Sequence, residues 1–244
     1  MLCLPEPYPH HRETYGPDII SNLVEASNWP INLPESRYFL MGRTSGCYAL
    51  SYAQKLLSET PIHAVILGAI DSYLDPLLLA LMEKDGRVLR ERNSVGFIPG
   101  EAACFMVIAK KGWAEQHHIP MLGLVGSAGV AEEPGHLYSQ TPNLGNGLSG
   151  AIRHALTGVE QFKFLYSSCN GEPMLAKELG IALMRNHTNA ASFKHIHPAD
   201  CMGDVGAATV PLLMGIAALK QKEISLIASS SDGPFRGAVC VRGI

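Results

Sequence analysis

Hydrophobic and polar positions form two alternating patterns along the chain. Some segments carry apolar residues at helical spacing, and others are short, continuous apolar runs bounded by Pro, Gly or Asp. Because the two kinds of segment alternate instead of clustering, the order predicts a layered α/β architecture. The predicted helices cover residues 18–27, 46–58, 77–83, 149–156, 174–185 and 205–219. The predicted strands cover residues 37–41, 63–70, 102–109, 121–125, 162–167, 192–197, 224–229 and 238–241.

The second part of this pattern repeats the first. In residues 42–110, a glycine-containing turn opens an apolar helix, which is followed by two apolar strands, and the same order recurs in residues 203–244. The segments 46–54 and 205–219 carry no charged residue, which predicts helices buried between sheets. We therefore predict two related halves, residues 1–120 and 121–244, within one compact unit.

Composition excludes several classes of function. The 244 residues are 47% hydrophobic and include 19 Lys and Arg against 22 Asp and Glu, so no basic excess exists to bind nucleic acid. The longest apolar stretch is interrupted by Pro211 and is shorter than the ~20 residues that cross a bilayer. The N-terminus lacks the basic region of a signal peptide. Together with six scattered cysteines, which indicate reduced thiols, these features predict a cytoplasmic protein without a membrane span.

The histidines raise the question of a metal site. Three groups stand out among the ten histidines: His10 with His11, His117 with His118, and His195 with His197. The first two pairs lie in polar connecting segments, and the spacing supplies no tetrahedral ligand set. We predict neither a metal nor a cofactor.

Four segments carry a family resemblance. They are residues 43–50 (RTSGCYAL), residues 85–87 (DGR) with 96–103 (GFIPGEAA), residues 164–171 (FLYSSCNG) and residues 201–208 (CMGDVGAA). Together they resemble the β-ketoacyl-(acyl-carrier-protein) synthases of the thiolase superfamily. The resemblance implies a thiolase-like fold of αβαβα layers, built from two related halves around buried central helices.

The resemblance also implies that the first half is incomplete. Residues 1–120 would be a remnant of the N-terminal half, because the family's opening segment, including a strand in the middle of its sheet, has no counterpart. A missing central strand leaves two rows of backbone groups unpaired. We therefore expect the gap to be filled by another segment, by a partner or by a preceding stretch of chain.

The resemblance places the family's catalytic residues at three positions. Arg43 stands at the nucleophilic cysteine, and Asn170 and Gly203 stand at the two histidines. A guanidinium cannot be acylated in place of a thiolate. The lost histidines would each contribute on the order of 10²-fold in rate as hydrogen-bond donors. We therefore predict a catalytically degenerate protein that acts as a binding or assembly subunit.

Arg43 should have an anionic partner. A cation at a helix N-terminus is unfavourable by roughly 0.3–1 kcal/mol unless an anion compensates for it. The candidates are Asp204, Glu172 and a bound anion such as an acyl carboxylate or a phosphopantetheine phosphate. Asp232 stands near the family's gating aromatic, which predicts an altered acyl tunnel entrance.

A different class of function stays open at this point. Cys47 lies one helical turn after Arg43, and Cys169 lies beside Asn170, so either thiol is an alternative nucleophile with His195 or His197 as base. Such a site would make the chain an acyl-transfer or thioester-hydrolysing enzyme of fatty acid or polyketide type metabolism.

The resemblance also suggests partners. Phrases such as residues 4–7 (LPEP) and 197–208 (HPADCMGDVGAA) resemble a branch of synthase-like proteins whose genes often lie beside type VI secretion genes. This implies a homodimer or heterodimer through the thiolase-type surface, with an acyl carrier protein or a secretion-system protein as partner. The chain would then be a cytosolic accessory.

Overall fold

Two β-sheets and their helices make up the computed structural model, which describes residues 1–9, 18–91, 93–186 and 192–244. The α-helices are α1 (Ile19–Ser27), α2 (Ser45–Glu59), α3 (Pro76–Lys84), α4 (Lys111–Gln116), α5 (Asn146–Ala155), α6 (Pro173–Arg185), α7 (Ala199–Met202) and α8 (Thr209–Lys220). The strands are β1 (Leu2–Leu4), β2 (Tyr38–Leu40), β3 (Ala64–Ser72), β4 (Glu101–Ala109), β5 (Gly123–Val125), β6 (Gly129–Glu132), β7 (Phe164–Ser167), β8 (Lys194–Ile196), β9 (Ser225–Ser230) and β10 (Phe235–Gly243). Short 3₁₀ turns cover Leu33–Glu35, Gly42–Thr44 and Gly206–Ala208.

The first sheet has the strand order β2-β1-β3-β4. Strand β1 pairs in parallel with both β2 and β3, and β4 pairs with β3 in antiparallel register along its whole length. The predicted gap in the middle of this sheet is filled by β1, a segment of the chain itself. The Leu2 amide donates to the Arg37 carbonyl and the Gly68 amide donates to the Met1 carbonyl, both over 2.9 Å.

The second sheet has the order β5-β10-β9-β7-β8, and β6 pairs with another part of β10. Strands β7, β8 and β9 are parallel, whereas β10 is antiparallel to β9, β5 and β6. The carboxyl ends of β7 and β9 therefore meet at one edge of the sheet, and the turns that follow them can share a site.

Helices α2 and α8 lie between the two sheets, in contact with each other and with strands of both. A Cβ added at Gly46 would lie 2.7 Å from Pro211 Cδ, so this glycine allows the close approach of α2 to α8. As the absence of charge predicts, no residue of 46–54 is exposed, although Leu219 at the end of α8 is 67% exposed. Helices α5 and α6 cover the opposite face of the second sheet.

Both central helices begin after a glycine in the left-handed region. Gly42 has φ +51 and Gly206 has φ +52, and an acidic side chain packs against each. A Cβ at Gly42 would lie 2.6 Å from the Glu6 carboxylate, and one at Gly206 would overlap the Asp71 carboxylate. The sequence repeat thus corresponds to two helix starts of the same construction.

The element bounds differ from the predicted ones at several places. The strands predicted at 121–125 and 162–167 begin later, at Gly123 and Phe164, and β1, β6, α4 and α7 were not predicted. These missed elements have three to six residues, too few to establish a period. None of the described helices has the length and apolar character needed to span a membrane.

Candidate functional site

Arg43 lies at the centre of a buried ionic site between the two sheets. It belongs to the 3₁₀ turn that leads into α2, and only 1% of its surface is exposed. Its Nη1 atom donates to Asp204 Oδ2 over 2.7 Å, its Nε donates to the Ser230 carbonyl over 3.0 Å, and its Nη2 pairs with Asp232. All three guanidinium nitrogens therefore have hydrogen-bond partners within the protein.

Asp204 brings together two of the three positions that the resemblance assigns to the family's catalytic residues. Its Oδ2 atom accepts hydrogen bonds from both Arg43 and Asn170, each over 2.7 Å. The third position, Gly203, is the neighbouring residue in the chain. The turns after β7 and α7 thus converge on the start of α2, and Arg43, Asn170 and Gly203 lie around one site.

Gly203 is required by the path of the backbone. It has φ +76, and a Cβ at this position would lie 2.7 Å from the Ile98 carbonyl oxygen. The next residue, Asp204, bonds through its backbone to Ile98 and Gly100 over 2.8 and 2.9 Å. Any L-residue with a side chain would be strained here, so the backbone conformation of this turn favours glycine.

A second arginine extends the network. Arg87 pairs with Glu172 through two bonds of 2.8 Å and with Asp232 through bonds of 2.6 and 3.0 Å. Glu172, which was a candidate partner for Arg43, thus pairs with Arg87 instead. Asp232 bridges both arginines, and the Tyr138 hydroxyl donates to it over 3.2 Å.

Glu6 is the fourth carboxyl group of the site. It follows β1, and its two carboxylate oxygens accept the backbone amides of Asp232 and Gly233 over 2.8 and 2.9 Å. The N-terminal segment thereby holds the turn between β9 and β10. We call the set Glu6, Arg43, Arg87, Glu172, Asp204 and Asp232 the ionic cluster.

Arg236 holds the same turn from its other side. Its Nη1 atom donates to the carbonyls of Ser231, Gly233 and Phe235 over 3.0, 2.6 and 2.8 Å, and its Nε pairs with buried Glu178. Asp232 is therefore fixed within a loop whose carbonyl groups are satisfied by a buried cation.

The pKa values of the ionic cluster follow from burial and from opposite charges. Burial alone would raise the pKa of Asp232, but Arg43 and Arg87 outweigh it and hold that pKa well below its usual range. Burial alone would lower the pKa of Arg43, but Asp232 and Asp204 raise it. Burial and the charge of Asp232 raise the pKa of Glu6 from 4.5 to about 7.

The raised pKa of Glu6 is a feature shared with general bases, but the space around it is small. A cavity of about 40 Å³ adjoins Glu6, Tyr73 and Asp232, and one of about 10 Å³ adjoins Gly203 and Asp204. About 10–15 Å³ of such cavity volume holds one water molecule, so the larger space has room for a few waters and neither space admits an acyl thioester. Ionic networks that hold a structure together shift pKa values as well.

Two members of the ionic cluster were not among the predicted site residues, although both belong to segments that carry the family resemblance. Arg87 belongs to residues 85–87 and Glu6 to residues 4–7. A lone arginine or glutamate beside glycine or proline carries no periodic signal of burial. Their partnership with Asp232 spans 145 and 226 positions, and only the fold brings such distant residues together.

The candidate thiols do not have the environment of a nucleophile. Burial raises the pKa of Cys47, which is fully buried in α2, and the guanidinium of Arg43 one turn away does not bring that pKa down. Burial also raises the pKa of Cys169, and the lowering effects of Ser167 and Arg43 are smaller. A raised pKa reduces the thiolate fraction near neutral pH.

The candidate bases have other partners. His195 Nε2 lies 2.8 Å from Ser167 Oγ, and burial lowers the pKa of this histidine. His197 Nε2 lies 3.0 Å from Asp200 at the surface. Over the described ranges, no group of three His, Cys, Asp or Glu side chains is placed to hold a metal ion. His10 and His11 lie outside the described residues.

Comparisons with known proteins identify the architecture. No protein-family model and no curated protein sequence matches the chain. Among solved structures, a type II polyketide ketosynthase in complex with its acyl-carrier protein superposes with a TM-score of 0.75 at 13% identity, over 92% of this chain and 66% of that one. This chain has the thiolase-like fold of ketosynthases.

Two further structures support the same conclusion. The oxazolomycin ketosynthase domain from Streptomyces albus superposes with a TM-score of 0.77 at 12% identity, over 100% of this chain and 54% of that one. The ketosynthase from module 6 of the bacillaene synthase of Bacillus subtilis gives 0.69 at 14% identity, over 85% and 47%.

The ketosynthase-like chain spans only part of these proteins. It covers 66% of the first ketosynthase and about half of the other two. The predicted fold class, layered α/β of the thiolase type with an incomplete first half, is confirmed.

Proposed function

We propose that this ketosynthase-like chain is a non-catalytic binding or assembly subunit. The observation that carries the proposal is the state of Arg43, which occupies the place that resembles the family's nucleophile. The guanidinium is buried and saturated by Asp204, Asp232 and the Ser230 carbonyl. It has no electron pair to attack a thioester, and its partners hold it in the protonated form.

The surroundings of Arg43 support the same proposal. Decarboxylative condensation needs donors directed at a developing oxyanion. The Asn170 side chain instead donates to Asp204 over 2.7 Å and to Glu172 over 3.1 Å, so its amide hydrogens are already used. Gly203 supplies no side chain, and the spaces beside the ionic cluster measure only about 40 and 10 Å³.

Incubation with acyl thioesters tests the proposal. We expect no covalent adduct on Cys47 or Cys169 when the chain is treated with acetyl-, octanoyl- and malonyl-coenzyme A and analysed by intact mass and peptide mapping. Cys201 is exposed, and a Cys201→Ser variant removes unspecific acylation at this thiol. An acyl adduct on Cys47 or Cys169 of that variant would instead establish the acyl-transfer or thioester-hydrolysing function.

The binding role calls for a protein partner. A ketosynthase of the same fold is described in complex with its acyl-carrier protein, which supports an acyl carrier protein as one candidate. The other candidates are a second copy of this chain, an active synthase, and a type VI secretion protein that this chain would serve as a cytosolic accessory.

Light scattering distinguishes between these candidate partners. The chain has a mass of 26.3 kDa, and we expect a self-complex or a mixed complex when it is measured alone and with a purified holo acyl carrier protein, synthase or secretion protein. A monomer under all these conditions would contradict the assembly role without restoring a catalytic one.

A further inference from the structure

A cavity of about 260 Å³ lies between α1 and the first sheet, and none of its lining residues belongs to the ionic cluster. Its floor is the sheet face turned away from α2 and α8, formed by residues such as Ile66, Gly68 and Phe105. Its roof is the apolar side of α1, formed by Ile20, Leu23 and Val24. A molecule in this cavity would therefore lie apart from the ionic cluster on which the proposed function depends.

The roof and the floor do not pack closely together. Ile20, Leu23 and Val24 follow the spacing of one helix face, yet no residue of α1 is buried. Apolar side chains on an inward face normally become buried, because each Å² of apolar surface removed from water stabilises the folded state by about 25 cal/mol. The space between α1 and the sheet therefore retains apolar surface that a ligand can cover.

Two aromatic rings and a glycine shape the floor. The rings of Trp29 and Phe105 meet edge to face with centroids 6.5 Å apart. A side chain on Gly68 would overlap the Phe105 ring, so this glycine lets the ring lie across β3. A smaller apolar cavity of about 150 Å³ is sufficient to hold benzene. This cavity is larger and has aromatic walls.

The polar groups of the lining restrict the charge of a ligand. They lie together in the segment after α1, at Asn32, Glu35 and Ser36. Glu35 is acidic, and no lysine, arginine or histidine among the described residues contributes to the lining. The Met1 amino group donates to the Ile66 carbonyl over 2.8 Å. Burial lowers the pKa of this amino group and so disfavours its charged form. An anionic ligand would therefore meet the like charge of Glu35 without a basic side chain to balance it.

We propose that this cavity binds a neutral apolar small molecule, such as a hydrocarbon chain or a fused aromatic ring, with any hydroxyl or amine group turned toward Asn32 and Ser36. Apolar pockets with a few polar groups at one end are typical of small-molecule sites.

Trp29 provides a reporter for the test. The chain has two tryptophans, Trp29 in the lining and Trp113 on α4. Neutral 1-aminoanthracene is titrated into the full chain, with energy transfer from tryptophan as the readout. We expect saturable binding, with an energy-transfer signal that falls in a Trp29→Phe variant. The signal that remains comes from Trp113, whose ring stacks on His63 beside the lining residues Ile62 and Ala64. At pH 7 we also expect 1-octanol to displace the probe at a concentration at least about tenfold lower than octanoate does. A Glu35→Gln variant should reduce this difference between the two displacing concentrations.

Filling and enlarging the cavity complete the test. Val24→Phe and Ile66→Phe should weaken probe binding by at least about tenfold, because the added ring occupies the site. Leu219→Phe, at an exposed position on α8, should leave binding within about twofold. Leu23→Ala enlarges the cavity and should retain binding. The proposal is overturned if binding does not saturate, if folded filling variants bind as well as Leu219→Phe, or if octanoate displaces the probe as well as octanol.

Discussion

At the scale of single residues, the main feature is a cation without access to solvent. Arg43 and Arg87 share Asp232, and each has a further carboxylate of its own. Burying such charges costs several kcal/mol per ion, which the mutual attraction offsets only when the geometry is complete. Each member of the ionic cluster therefore depends on the others, and removal of one leaves uncompensated charge behind.

Replacement of Arg43 tests this dependence. We expect Arg43→Met to lower the free energy of unfolding by about 3–5 kcal/mol, because Asp204 and Asp232 lose a buried partner. Chemical denaturation monitored by circular dichroism measures the change. Arg37→Met is the matched control, since Arg37 is exposed and bonds only nearby carbonyls, and its effect should stay within about 0.5 kcal/mol. Equal effects of the two variants would contradict the structural role of Arg43.

The raised pKa of Glu6 predicts that the stability of the protein depends on pH. Its pKa is 4.5 in the unfolded chain and about 7 in the folded protein, so between these values the folded state binds more protons. The contribution of Glu6 is therefore fully present below pH 4.5 and is lost as the pH rises through 7. We expect a loss on the order of 3 kcal/mol from this group.

A variant isolates that contribution. Glu6→Gln cannot ionise, so the difference in unfolding free energy between wild type and Glu6→Gln should change between pH 4.5 and 7 and be flat below that range. Glu115→Gln, at an exposed position on α4, serves as control and should follow the wild type. A constant difference for Glu6→Gln across the whole range would show that Glu6 has an ordinary pKa.

At the scale of the elements, the starts of α2 and α8 determine where the site lies. Gly42 and Gly206 have positive φ, and each leaves room for an acidic side chain, Glu6 after β1 and Asp71 in β3. Beyond these turns, residues 46–54 of α2 and 209–219 of α8 lie between the sheets without a charged side chain. The turn before a helix thus sets the contacts of the site, whereas the helix itself supplies the core.

Two glycines of one segment test this division. Gly206→Ala should destabilise the protein by about 2 kcal/mol or more, because its φ is +52 and the new Cβ would overlap Asp71. Gly215→Ala, in the middle of α8, meets no atom within 4 Å and should stabilise the protein by up to about 1 kcal/mol. Thermal and denaturant unfolding measure both. Effects of the same sign would contradict this account.

The sequence is informative about long elements and uninformative about short ones. The uncharged parts of α2 and α8 and the nine-residue strands β3 and β4 follow from apolar runs. Strand β1 has three residues and carries no period, so its position depends on pairing with β2 and β3. Likewise, the convergence of Arg43, Asn170 and Gly203 followed from the family resemblance, whereas the roles of Glu6 and Arg87 depend on contacts between distant parts of the chain.

At the scale of the whole molecule, the N-terminal segment connects the two sheets. Strand β1 completes the middle of the first sheet, and Glu6, which follows it, binds the turn between β9 and β10 of the second. Segments near a terminus usually contribute little to stability. Here the same few residues provide pairing in one sheet and a carboxylate to the other.

Hydrogen exchange tests the position of the N-terminal segment. Amides of β1 should exchange as slowly as those of β3, because both open only when the first sheet unfolds. Amides of α1, in which no residue is buried, should exchange much faster and serve as the internal comparison. Fast exchange of β1 beside a protected β3 would show that the first sheet does not depend on this strand.

The ionic cluster also constrains how this protein can change over generations. A thiol at position 43 would leave Asp204 without an arginine and Asp232 with Arg87 alone, so that single exchange cannot be neutral. Substitutions at these three sites must arrive together or through compensating intermediates. In an alignment of relatives, we expect positions 43, 204 and 232 to covary as a linked set.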